Sequence, residues 1–228
     1  MPSAATPMAD SRDMYMVHTV FRREFGAAPQ VIRNVADGDV KRARLVADHL
    51  ALLTFVLEHH HQGEDNLVWP KLLERGAVEI APMVETMERQ HEAIHGPLEE
   101  VDARLGQWRQ TAGAIERDVL ATAVERLIPP LFEHLDTEEA NLLSLIDKHL
   151  TAAEWAEVAA AGMAKLPKGK LPLTIGMALY EAEPEHVQVL KDAVPAPVWF
   201  IFSRLGPRAY AKHSRRIYGT ATPARFAG

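Results

Sequence analysis

From Ser11 to Leu150 apolar residues recur at intervals of three and four, with little β-branched alternation, so this stretch has to form long amphipathic helices. Short breakers divide it into four segments, at about 11–36, 39–74, 82–110 and 114–150. Asp37-Gly38 and Gly76 supply stops, and Pro29 and Pro129-Pro130 predict bends in the first and fourth segments. Four long helices joined by short turns predict an all-α fold, an up-down-up-down four-helix bundle. Thr151-Ala-Ala-Glu154 reads as a capping box that opens a shorter helix to about Lys165. Additional C-terminal helices are expected at about 173–182, 185–193 and 198–218, where Pro and Gly cut the chain into short pieces.

Charge divides the chain at about the same place. Residues 1–163 hold 15 Lys/Arg against 27 Asp/Glu, net −12, whereas residues 164–228 hold 10 against 4, net +6. The boundary is expected near Gly162, with residues 1–162 forming the bundle and 163–228 a basic, proline-interrupted helical extension packed on it. The last predicted helix sets Trp199, Phe200, Phe202, Tyr210 and Tyr218 among Arg204, Arg208, Lys212, Arg215 and Arg216. A basic aromatic helix can suggest nucleic acid or membrane, but an acidic bundle in the same chain is the nearer partner, so neither is expected. There is no run of 18 apolar residues and no leader-like start, which leads to the expectation of a soluble, cytoplasmic protein.

The chain contains no cysteine and 11 histidines. That excludes disulfides, thiolate zinc sites, iron–sulfur clusters and cysteine nucleophiles, and leaves imidazole and carboxylate as the good metal ligands. The second segment contains His59-His60-His61-Gln-Gly-Glu64-Asp65, and the fourth His134-Leu-Asp136-Thr-Glu138-Glu139. Aligned from His60 and His134, both read His-x-x-x-Glu followed by an acidic residue. An i, i+4 step turns by about 40° and rises about 6 Å, so each His and Glu projects from one helix face. The third segment supplies His91 and His95, again four apart, and the first supplies His18.

Level along the bundle provides a further test. At 1.5 Å per residue, His18 and His60 lie roughly 30 and 33 Å from the Gly38 turn. Glu64 and His91 lie roughly 18 and 22 Å from Gly76, and His95 and His134 roughly 27 and 31 Å from Gly113. All four helices thus bring these groups to one slab. Five imidazoles and two carboxylates exceed the needs of one tetrahedral zinc and suit two octahedral metals.

Taken together, His18, His60-x-x-x-Glu64, His91-x-x-x-His95 and His134-x-x-x-Glu138 resemble the hemerythrin family in its broader HHE cation-binding branch, over about residues 11–150. The resemblance implies two iron ions forming a non-haem di-iron centre with an oxo or hydroxo bridge. It further implies His91, His95 and His134 on one iron, His18 and His60 on the other, and Glu64 and Glu138 bridging. O2, NO or peroxide would bind at the iron with fewer histidines. The family's oxygen carriers place an Asp five residues after the last histidine; this chain has Glu138 at four and Glu139 at five, so Glu139 is the alternative bridge.

The other histidines are read as structural. His59 and His61 are expected to be solvated, because three consecutive helical residues point 100° apart. His49 is expected to be a hydrogen-bonded core residue, His149 to face carbonyls at a helix end, and His186 and His213 to be unrelated to metal. Tyr15 and the methionines Met14, Met16, Met83 and Met87 are expected to pack. Two functions stay open: reversible O2 or NO binding or redox sensing, and a di-iron oxidase or peroxide-consuming oxidoreductase whose C-terminal helices form a substrate lid.

Overall fold

The computed structural model describes residues 6–226, apart from the side chains of Ala77 and Ala193. Its helices are α1 (Asp13–Arg33), α2 (Val40–Gly63), α3 (Trp69–Thr111), α4 (Ala114–Asn141), α5 (Leu143–His149), α6 (Ala152–Lys165), α7 (Leu171–Glu181), α8 (Pro184–Ala193) and α9 (Ala196–Tyr218). A π-helical turn, Glu64–Val68, joins α2 to α3. Among the described residues the only β pairing is an isolated bridge between Met8 and Thr151.

Non-helical backbone at Gly76 (φ −147°, ψ 31°) breaks α3 into a short arm and a long one. The chain reverses there. A straight helix would hold residues 64 and 91 about 40 Å apart, yet a Glu64 oxygen lies 3.3 Å from a His91 nitrogen. The first arm therefore ends the second bundle helix and the remainder is the third, which begins nearer Gly76 than Pro82. Neighbours run α1 to α2 to α3 to α4 and back to α1, the ring of an up-down-up-down bundle.

Local chemistry accounts for the ends. The Asp39 side chain accepts from the Arg42 N–H at 3.0 Å and caps α2. Thr151 and Glu154 form both halves of the capping box. Pro29 lies within α1, and Pro129 and Pro130 within α4, without ending either helix. The fourth segment instead breaks at Leu142. Just before it, Thr137 and Asn141 donate side-chain hydrogen bonds to carbonyls one turn back, at 2.6 and 2.9 Å, which competes with the helical ladder.

The helices beyond the bundle fold back onto it. α7 and α9 cross closely and rest on α1 and α2, while α6 lies along α2. Arg23 of α1 is buried against Glu181 of α7, with its guanidinium 5.2–5.8 Å from the rings of Tyr180, Tyr210 and Tyr218. Buried Glu24 receives the Tyr218 hydroxyl and lies 3.1 Å from His49, whose other ring nitrogen lies 3.1 Å from His213. His49 is thus the hydrogen-bonded core residue expected, and His213 is its partner. The attachment centres on a cation from the acidic bundle and an anion from the basic extension, the reverse of the bulk charge. No helix among the described residues is long and apolar enough to cross a membrane.

The α7–α9 crossing depends on two glycines. A Cβ on Gly176 would lie 2.1 Å from the Gly206 carbonyl oxygen, and backbone cannot yield as a flexible side-chain tip can. Gly176→Ala is expected to destabilise the extension by about 1–3 kcal/mol. Hydrogen exchange should show faster exchange in α7 and α9, and unchanged protection there would refute the close packing.

Candidate metal centre

On each bundle helix the candidate groups, His95 apart, occupy positions that would otherwise hold core hydrophobes. In α1 the buried stripe is Met14, His18, Phe21, Phe25, Ala28 and Ile32, and in α4 it is Leu120, Val124, Leu127, Leu131, His134 and Glu138. Both alternate steps of four and three, the spacing of a bundle seam. The long arm of α3 carries Ile80, Val84, Met87, His91, Ile94, Leu98, Val101, Leu105 and Trp108 in the same rhythm. Polar groups thus fill one layer of an apolar stack. One apolar cluster, around Trp69, Leu72, Val84 and Ile146, lies on one side of it, and a larger one, around Phe25, Leu53, Leu98 and Leu127, lies on the other.

Within the layer, His61, His91 and His134 present ring nitrogens that all lie within 4.8 Å of one another. His18, His60 and Glu138 make a second such group, and Glu64, His134 and Glu138 a third that joins them. Glu64 faces both poles: Oε1 is 3.1 Å from His60 Nε2, and Oε2 is 3.3 Å from His91 Nε2. Glu138 Oε2 lies 3.2 Å from His18 Nε2 and 3.8 Å from His134 Nε2. The outcome is three imidazoles at one pole, two at the other and two carboxylates between.

Outer residues aim the rings. His91 Nδ1 donates to Asp65 Oδ1 at 2.8 Å, and the same oxygen accepts from the Trp69 indole at 3.0 Å. His18 Nδ1 donates to Glu139 Oε1 at 2.8 Å, and Arg22 holds Glu139 and Asp136, both at 2.6 Å. Each carboxylate fixes a tautomer in which Nε2 points inward. Glu139, the alternative bridge, is therefore engaged at the back of His18, while Glu138 faces the interior. Sequence reading had singled out neither Asp65 nor Arg22, although the acidic residue after each repeated Glu was visible.

Two of the histidines lie elsewhere than expected. His95 is on the surface, its side chain 59% exposed and 3.7 Å from Glu99. His61, expected in solvent, is buried and stacked on His91 with ring centroids 4.1 Å apart. The seam explains both. In α3 the core step after His91 is Ile94, so His95 falls one residue off the stripe. At the end of α2, helical spacing sets Glu64 about 40° from His60 and about 60° from His61, so one wedge holds all three. The π turn that begins at Glu64 widens the helix there and keeps Glu64, Val68 and Trp69 all facing inward.

Burial and mutual charge set the protonation of the metal-free layer. Burial pushes His18 down, but Glu138 and Glu139 overrule it and raise it to about 9. Burial likewise opposes His91, which Asp65 and Glu64 raise to about 9. Burial pushes His60 and His134 down to about 3 and His61 well below its usual value. Burial and the charge of Glu138 raise Glu64; for Glu138 the opposing pull of His18 outweighs burial and lowers it. Protons on His18 and His91 thus balance carboxylate charge.

Hydrogen bonding within the chain leaves the layer incomplete. The Nε2 atoms of His18, His60, His61, His91 and His134 and both oxygens of Glu64 and Glu138 are buried, and none makes a contact with hydrogen-bond geometry. Buried polar atoms are almost always partnered. So many, converging from four helices, fit cations with nitrogen and oxygen ligands. Fold and layer together define a metal-binding helical bundle of the histidine–carboxylate type.

The family comparison agrees. Residues 10–146 match the hemerythrin HHE cation binding domain, and the chain belongs to that family. Membership implies cation binding, typically iron. The match ends within α5, so α6 to α9 lie outside it. No curated protein and no solved structure matches the chain.

Asp65→Asn isolates the outer contact to His91. In metal-free protein, NMR titration should show the His91 pKa falling from about 9 by at least one unit, because the Asn carries no charge. A histidine whose folded pKa is raised stabilises fully below its unfolded value near 6.5 and loses that contribution as pH rises through 9. The stability deficit of Asp65→Asn should accordingly be largest at about pH 5–6.5 and vanish above about pH 9. An unchanged His91 titration would contradict the assigned role.

Proposed function

We propose that the protein carries a non-haem di-iron centre and uses it to bind or react with O2, NO or peroxide. His61, His91 and His134 would hold one iron and His18 and His60 the other, with Glu64 and Glu138 as the carboxylates shared between them. The observation that carries this reading is the orientation of Glu64, whose two oxygens face imidazoles of opposite poles. Seven donors exceed a single ion's needs and leave positions free on two octahedral ones. The pole with two histidines offers fewer protein donors and would be the side for an exogenous ligand. His95 is replaced in this set by His61.

Iron bound there would supply one-electron chemistry with small oxidants and diatomic ligands. The chain provides the rest. Asp65 and Glu139 hold His91 and His18 in the tautomers that present Nε2, and Arg22 keeps Glu139 in place. The flanking apolar clusters close off the layer on two sides. The imidazole-rich donor set favours reversible ligand binding or peroxide chemistry over strongly oxidising states.

The purified protein is expected to hold about two irons per chain. His61→Ala, Glu64→Ala and His134→Ala should each lose at least one iron and melt at lower temperature, because bound metal stabilises the folded state. His95→Ala should retain both. Spectra of the reduced iron protein before and after O2, NO and peroxide identify the ligand: reversible change indicates binding, and loss of peroxide indicates turnover. Full iron in His61→Ala, or spectra that ignore all three reagents, would overturn the proposal.

A further inference from the structure

A cleft of about 260 Å³ lies between the bundle and the extension, with His60 and Glu64 on its wall. Met16, Val17 and Val56 line it from the bundle, and Val158, Leu171 and Ile175 line it from α6 and α7. Its polar wall groups outside the candidate centre are few, and each already makes a hydrogen bond within the chain. Asp13 accepts from the Trp155 indole at 3.0 Å, His59 bonds the Phe55 carbonyl at 2.8 Å, and Thr174 donates to the Leu171 carbonyl at 3.0 Å. Away from the candidate centre a polar ligand would find few replacements for its water contacts, whereas an apolar one needs none.

Gly162 is the second observation. It lies inside α6 and on the cleft wall, and a Cβ built there meets nothing within 4 Å. Glycine disfavours a helix interior relative to alanine. No close packing demands it here, and what its missing side chain leaves is space in the cleft. On the opposite side of the centre, His61 and His91 face a polar opening of about 350 Å³ among Glu58, Glu88 and Glu92. The two openings therefore differ in chemistry, the polar one suited to water and ions and the cleft to hydrocarbon.

We infer that the cleft is a binding site for a small neutral hydrophobic molecule about the size of an alkyl-substituted benzene. An apolar cavity of about 150 Å³ accommodates benzene, and this one is larger by a few carbons. Its position against His60 and Glu64 would set such a molecule beside the proposed iron centre. That consequence rests on the proposed function, but the binding itself does not.

The test uses 4-fluorotoluene followed by fluorine NMR, on full-length protein with and without iron. Saturable binding at one site is expected in both forms. Gly162→Leu fills the cleft and should weaken binding about tenfold or more, equivalent to about 1.4 kcal/mol. Gly106→Leu, on an exposed part of α3 where a Cβ also meets nothing within 4 Å, should bind within about twofold of the parent. Should Gly162→Leu fail to fold by circular dichroism, Ala159→Leu, on the cleft wall in the same helix, takes its place. No saturable binding, or parent-like binding in a folded cleft-filling variant, overturns the inference. Binding with normal probe affinity but no iron would overturn the proposed function alone.

Discussion

Two carboxylates, Glu64 and Glu138, lie fully inside the bundle among five imidazoles, and the rest of the structure answers to that arrangement. An isolated carboxylate in an apolar interior is severely disfavoured, and even a paired one recovers its lost hydration only with good geometry. In the metal-free chain the balance is struck by the raised proton affinity of His18, His91 and Glu64. Cations in the layer would replace those protons and give partners to the buried nitrogens and oxygens. Apolar clusters on both sides keep the helices together despite the polar layer, and Asp65, Glu139 and Arg22 prevent the rings from turning away.

The seam rhythm made the bundle legible before any coordinates, because apolar steps of three and four specify helix and face together. The capping box at Thr151 and the reversal at Gly76 were legible for the same reason: each is local chemistry. Level along the helices placed His18, His60, His91 and His134 in one layer, and a closer reading of it prefers His91 to His95. His91 lies 22 residues before Gly113, against 21 for His134 after it, whereas His95 lies only 18 before it. The continuous stripe through Ile94 points the same way. What spacing could not show was the π turn at Glu64. An α-helical wheel divides His59, His60 and His61 among three directions and gives no warning that a widened turn follows.

The extension was legible as helices and as a change in charge, but not in how it attaches. Net charge suggested basic residues of the tail on acidic residues of the bundle. The contact that forms has Arg23 of the bundle enclosed by three tyrosines and Glu181 of the extension, with Glu24, His49, His213 and Tyr218 beside it. Pairings of this kind depend on which residues meet across a packed interface, and composition carries no such information. The same packing closes one wall of the apolar cleft beside His60. The extension thus supplies part of the wall of the cleft that also holds His60 and Glu64.

The most direct test of the central claim is anomalous diffraction at the iron edge from crystals of iron-loaded protein. Two iron peaks are predicted inside the bundle, with Glu64 and Glu138 between them, His61 at the three-histidine pole and His95 still on the surface. A single peak, or an iron bound by His95 in place of His61, would contradict it.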